Sequence, residues 1–217
     1  MTDFATARTA MVDRQVRPSD VTSFPIIEAM LWAPRERFVA PASKAVAYAD
    51  APAQVSQGRA MLDPRVFAKL LDGARIGPED LVLDVAPGLG YSTAVIARMS
   101  AAVIAVEPDE ALAATASDTL SALEVDNALV KHGEAAAGDA EHGPFDAIFI
   151  NCGIEEAPKA LLAQLKDGGR LVAVVMNGAN GRATAYIRNG DQFAARRLFD
   201  ATVPVDPAFK AEKAFAL

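Results

Sequence analysis

Cysteine occurs once in the 217 residues, at Cys152, so no internal disulfide can form and a reducing cytoplasm is the simplest setting. Cys152 closes an apolar run, but no histidine stands at recognisable spacing from it, so it reads as a structural thiol and not a nucleophile. Histidine occurs twice, and neither His132 nor His142 has metal-ligand spacing with an acid or with the other. No metal site is expected. No apolar stretch reaches the roughly 18–20 residues that span a bilayer. The segment MTDFATARTAMVDRQVR carries Asp3, Arg8, Asp13 and Arg14 where a secretory signal needs an apolar core. Excess positive charge is missing too. With 28 acids against 21 bases the net charge is −7, which disfavours broad binding to nucleic acid or to an anionic membrane.

What is present is an ordinary globular composition, 52% hydrophobic and 23% charged, of a length that suits one α/β domain with a modest extension. From residue 81 the chain alternates short β-branched runs with helical segments. Strands are expected at 81–86, 102–108, 128–132, 145–151 and 169–175, and helices at 91–99, 109–123 and 157–165. That rhythm predicts right-handed βαβ units in a mostly parallel sheet. The runs 183–189 and 192–200 then meet at an Asn-Gly-Asp turn with no helix between them, which predicts a terminal antiparallel hairpin. Residues 1–76 read as a helical N-terminal extension packed on a core of residues 77–217. Helical spacing is visible in FATARTAMVDRQV and in FPIIEAMLWA, and again over residues 64–72. Trp32 is expected in the core, and the stretch from Val39 to Pro64 looks irregular.

The segment LVLDVAPGLGYSTAVIA joins a strand to a helix through a glycine loop. Gly88 and Gly90 let the backbone approach a ligand closely, with Tyr91 opening the helix. A dinucleotide loop needs G-x-G-x-x-G, and the third glycine is absent, which disfavours NAD and FAD. An adenosyl ligand without phosphates asks less of the loop. Glu107, ending the second strand with Pro108 beside it, is placed to accept two ribose hydroxyls. Glu134, after the third strand, is placed to meet an adenine amino group. Asn151, ending the fourth, is placed to orient the methyl donor or a substrate carboxylate.

MVDRQVR (11–17), IIEAMLWAPRERFV (26–39), AYAD (47–50), LVLDVAPGLGY (81–91) and the long run from Gly143 to Val175 together resemble the protein-L-isoaspartate O-methyltransferase family. The resemblance covers nearly the whole chain. It implies a class I methyltransferase Rossmann-like fold and S-adenosyl-L-methionine as cofactor. It also implies methylation of the stray α-carboxylate of isoaspartyl residues in damaged proteins or peptides. Asp84, Ala86, Pro87, Gly88, Gly90, Tyr91, Glu107, Pro108, Glu134 and Asn151 are the expected cofactor-binding residues. Tyr48 and Asp50 brace the lead-in loop.

The sequence departs from the family pattern at three places. The family holds the acceptor carboxylate with a hydroxyl in a Thr-Ile-Ser-Gln-Pro stretch. Here Ala60, Leu62 and Asp63 stand where the threonine, serine and glutamine are usual. Leu62 offers no donor, and Asp63 is expected to repel a carboxylate. Arg59 is the nearest possible substitute clamp. The glycine loop is Ala86-Pro87-Gly88-Leu89-Gly90, where the family usually has Gly-Thr-Gly-Ser-Gly. The end of the chain, VPVDPAFKAEKAFAL, departs from the family's usual last strand. Two other readings follow: methyl transfer to a more apolar acceptor, favoured by Met61 and Leu62, or a cofactor-binding relative without turnover.

Overall fold

The computed structural model describes residues 3–211. Helix α1 (Phe4–Met11) runs into a π turn over Val12–Val16, and α2 (Phe24–Trp32) follows. A two-stranded hairpin, β1 (Ala53–Ser56) and β2 (Arg59–Met61), precedes α3 (Pro64–Ala74). Then come β3 (Leu81–Val85), α4 (Tyr91–Ala97), β4 (Ala102–Glu107), α5 (Glu110–Ser121) and β5 (Ala128–His132). The chain ends through β6 (Phe145–Ile154), α6 (Lys159–Leu162), β7 (Leu165–Asn177), β8 (Asn180–Asn189) and β9 (Gln192–Asp200).

The main sheet has the order β5-β4-β3-β6-β7-β8-β9. Strands β3 to β7 pair in parallel, and β8 and β9 add antiparallel, the expected terminal hairpin. The parallel strands are apolar on both faces, as a doubly covered sheet requires. Val82, Phe149, Val172 and Val174 join one core with α2, α3 and α4. Leu83, Val85, Ile148, Ile150, Leu171 and Ala173 join a second core on the opposite face, under α6. The two sets alternate along each strand with period two.

The N-terminal segment shares the first core instead of standing apart from it. Met11, Val12, Ile26, Ile27 and Met30 pack with α3 residues Val66, Phe67, Leu70 and Leu71, which recur at helical spacing. Arg35, fully buried, pins this layer by donating to the carbonyls of Ala47 (2.7 Å) and Leu62 (2.6 Å). The division drawn from the sequence at residues 76 and 77 falls in the turn between α3 and β3.

Two local expectations change. The stretch read as irregular contains the β1–β2 hairpin, whose turn uses Gly58 at φ 77°. The helix expected over 157–165 contracts to Lys159–Leu162, because Pro158 delays its start and the chain must enter β7 at Leu165. Trp32 packs against the first core as expected but stays half-buried at its edge, with the Arg98 guanidinium 5.0 Å from its ring centre. Residues 212–217 of the divergent C-terminal stretch lie outside the described residues. Among the described residues no helix is long and apolar enough to cross a membrane.

Candidate active site

Strand β3 has β4 on one side and β6 on the other, so the direction of winding reverses there and a crevice opens beyond the strand ends. The loop after β3 fills its floor. Ala86, Gly88 and Gly90 have φ of 55°, 63° and 93°, left-handed values that a glycine adopts freely and an alanine adopts at a cost of roughly 1–2 kcal/mol. The turn carries the chain from β3 directly into α4, which starts with Gly90 at its N-cap. A side chain at Gly88 would stand 3.3 Å from Val55 of β1, so the hairpin lies directly over the loop.

Beside the loop is a cavity of about 290 Å³, lined among others by Arg59, Leu62, Gly88, Tyr91, Asn151 and Asp206. Five of the ten residues expected to hold the cofactor line it: Ala86, Pro87, Gly88, Tyr91 and Asn151. Glu107 is fully buried at the end of β4 and receives the Gly88 N–H at 2.7 Å. Its carboxylate is not free. Both terminal nitrogens of Arg59 bond it, Nη1 to Oε1 and Nη2 to Oε2 (3.1 Å), while Nη2 also donates to the Ala86 carbonyl at 3.2 Å. Arg59 therefore sits on the carboxylate that was read as a ribose acceptor, and not as a free clamp.

Asp84 is fully buried and braces the same corner from within. Its Oδ2 accepts from Ser92 Oγ and Thr93 Oγ1, each at 2.7 Å, and its Oδ1 accepts from Asn151 Nδ2 at 2.6 Å. Burial lifts its pKa to about 6 against the pull of these three bonds. Asp84 is thus a strut that ties β3, the first turn of α4 and the end of β6 together. It does not line the cavity. Asn151 spends its amide hydrogens on Asp84 and on the Val85 carbonyl at 3.0 Å. With no donor left it can offer only its carbonyl oxygen, which suits an ammonium group and corrects the expectation that it could hold a carboxylate.

Other expected residues lie elsewhere. Glu134 is exposed and Pro108 half-buried, and neither lines the cavity. Asp63 caps α3 by accepting from Val66 N–H at 2.8 Å, and it too lies outside the lining, so its carboxylate does not face the cavity. Leu62 lines the cavity while its backbone carbonyl is held by Arg35. Cys152 lines it as well, and burial pushes its thiol far above the ordinary range, which keeps it protonated. Tyr91 packs its ring against Phe38 and Phe67, with the Arg35 guanidinium 4.8 Å from the ring centre, and its hydroxyl has no hydrogen-bond partner among the described residues.

Tyr48 braces the lead-in loop, accepting from Arg8 Nε at 3.0 Å and donating to Glu36, while Asp50 is exposed. His132 is exposed. His142, unlike its sequence reading, does approach an acid: its Nδ1 lies 3.1 Å from Asp139 Oδ1, in a cluster with Glu141. Lys131 already sits at 2.7 Å from Asp139 and 3.1 Å from Glu141, and fills that cluster with positive charge.

Residues 6–205 match the family described as "Protein-L-isoaspartate(D-aspartate) O-methyltransferase". A protein named protein-L-isoaspartate O-methyltransferase from Methylorubrum extorquens is 37% identical over 195 residues, which is 89% of this chain and 85% of the relative. One of the same name from Koribacter versatilis is 36% identical over 175 residues, 81% of this chain and 79% of the relative. Among solved structures, one named protein-L-isoaspartate O-methyltransferase superimposes with a TM-score of 0.80 at 21% identity, covering 94% of this chain and 67% of the other. A Plasmodium falciparum structure of that name, in complex with S-adenosyl-L-homocysteine, gives 0.78 at 21% identity and covers 94% and 98%. At that identity the structural likeness shows the fold, a class I methyltransferase α/β sheet.

Proposed function

The chain belongs to the protein-L-isoaspartate(D-aspartate) O-methyltransferase family, and we propose that the cavity beside Gly88 is where it methylates the α-carboxylate of isoaspartyl residues in damaged proteins or peptides. It is an S-adenosyl-L-methionine-dependent O-methyltransferase. The curated relatives carry the isoaspartyl name, which favours this acceptor over a more apolar one. A single cysteine suits the reducing cytoplasm we propose as its setting.

The observation that carries the reading is the buried Glu107 carboxylate at the end of β4, one hydrogen bond from the Gly88 amide at the cavity wall. A carboxylate offers paired acceptors to a ribose diol, and Gly88 presents backbone without a side chain beside it. The fit of the cofactor to these residues requires that Arg59 give up its place on Glu107. Asn151 offers its carbonyl oxygen to an ammonium group.

The cofactor supplies an electrophilic methyl group on a sulfonium. The acceptor carboxylate is already ionised at neutral pH, so no residue has to remove a proton from it. This explains a cavity without a histidine. What the chain contributes is alignment and dryness: Leu62, Phe67, Tyr91 and Val203 form apolar walls, and the hairpin covers the loop from above.

The test is transfer of radiolabelled methyl to an isoaspartyl peptide, with the normal aspartyl peptide as control. Base-labile label on the isoaspartyl peptide alone is expected. No transfer by folded protein that binds S-adenosyl-L-homocysteine would overturn the acceptor assignment.

A further inference from the structure

Four N–H donors surround the Glu107 carboxylate: Arg59 Nη1 and Asp109 N–H on Oε1, Arg59 Nη2 and Gly88 N–H on Oε2. A carboxylate has about four lone-pair positions, so its capacity is full. Two of these donors are main chain, fixed by the glycine loop and by the start of α5. The other two come from one side chain on a short hairpin. A ribose diol presents two O–H groups side by side, much as the guanidinium presents two N–H groups. The two forks compete for the same oxygens.

The displaced guanidinium has a destination. Arg59 lines the cavity with Met61, Leu62 and Asn151, and is the one cationic residue that does so among the described residues. The acceptor is an anion. Leu62 has no donor for it, and Asn151 has spent both of its N–H groups. An arginine freed from one carboxylate and facing another is suited to the same bidentate pairing. Asp206, also on the cavity wall, gives the charge a second anionic neighbour while it is between partners.

We infer that Arg59 is a specificity-determining clamp worked by the cofactor: it holds Glu107 until the ribose takes that carboxylate, then binds the acceptor carboxylate in place of the hydroxyl that Leu62 lacks. The inference rests on the methyl-transfer reading above and adds to it an order of binding, cofactor before acceptor, and a residue that couples the two. By linkage, each ligand then tightens the other.

The test uses the full chain and the variants Arg59→Met and Arg59→Lys, each first shown to melt cooperatively. Calorimetric titration with S-adenosyl-L-homocysteine is expected to show Arg59→Met binding as tightly as the natural protein or several-fold tighter, since a competitor is gone. Isoaspartyl peptide KM is expected to rise about 10- to 100-fold in Arg59→Met with a smaller change in kcat, and to lie between in Arg59→Lys. The natural protein is expected to bind the peptide about tenfold more tightly with S-adenosyl-L-homocysteine present than without it, and Arg59→Met is expected to lose that difference. Binding of S-adenosyl-L-homocysteine about tenfold weaker in Arg59→Met would overturn the inference, by making Arg59 part of the cofactor site. An unchanged peptide KM would overturn the clamp. If the natural protein binds S-adenosyl-L-homocysteine but methylates no isoaspartyl peptide, the acceptor reading and the clamp fall together. The titration arm by itself then decides whether Arg59 competes for Glu107.

Discussion

Arg59 grips Glu107 across 48 residues of sequence, joining the β1–β2 hairpin to the end of β4 above the glycine loop. The Glu107 side chain is fully buried and that of Arg59 is 22% exposed and lines the cavity, so the ion pair lies just behind the cavity wall and not on the outer surface. A lid closed by one ion pair is a lid that a competing ligand can open.

Glu107→Gln keeps the size of the side chain and removes its charge. The new amide presents N–H groups where Arg59, Gly88 and Asp109 already donate, so one side of it meets donors only. Affinity for S-adenosyl-L-homocysteine is expected to fall at least about 100-fold, equivalent to losing charge-assisted hydrogen bonds of roughly 1.5–3 kcal/mol each. Calorimetry on the folded variant checks this. Unchanged affinity would remove Glu107 from the cofactor site.

Asp84 makes stability depend on pH in an unusual direction. Its folded pKa is about 6 against an ordinary 3.8, so between those values the folded chain binds the proton that the unfolded chain has lost. The stability this group contributes is therefore full below about pH 4 and is lost as pH rises through 6, by about 3 kcal/mol at most. Asp139 and Asp146 act oppositely: burial works against their charge, but Lys131 and Lys166 hold both below the usual range. Comparison with Asp84→Asn separates the two. Denaturant unfolding is expected to show the natural protein losing about 2 kcal/mol relative to the variant between pH 4.5 and pH 7. A difference independent of pH would show that Asp84 keeps its ordinary titration.

Arg170 works at the other end of the strands. It donates to the carbonyls of Ala74, Arg75 (2.5 Å) and Asp146 (2.9 Å), and pairs with Asp80 at 2.5 Å. These bonds close the C-terminus of α3 onto the sheet. Arg170→Met is expected to cost about 2–4 kcal/mol and to lower Tm by several degrees, with S-adenosyl-L-homocysteine affinity unchanged. A melting point within a degree of the natural one would show these carbonyls to be satisfied by water.

Tyr91→Phe removes a buried hydroxyl that has no hydrogen-bond partner among the described residues. The ring contacts with Phe38 and Phe67 survive the change. Stability is expected to stay the same or to rise by up to about 1 kcal/mol, because an unsatisfied polar group leaves the core. A loss of more than 1 kcal/mol by denaturant unfolding would reveal a partner for that hydroxyl.

The sequence by itself determined the architecture. Val82, Leu83 and Val85, like Phe149 and Ile150 or Leu171 and Val172, are apolar on both sides of a strand, and such runs have few places to go except a doubly covered parallel sheet. The glycine loop, the acid at Glu107 and the terminal hairpin were equally legible, because strand period, turn chemistry and spacing are local properties. The hairpin of β1 and β2 was not. It is short and mixes apolar with polar residues without a clear alternation, and what holds it is Val55 packing over Gly88 and Arg59 reaching Glu107.

Only the tertiary structure decided what each site residue is free to do. Asp84 is expected from the sequence to bind the cofactor but is spent on Ser92, Thr93 and Asn151, the last of them 67 residues away. Asp63 reads as a repelling charge and serves as a helix cap, while Glu134 stands outside the cavity in solvent. A side chain's chemistry is written in its own residue, but its remaining donors and acceptors depend on which distant groups the fold brings within about 3 Å. No local pattern records that distance.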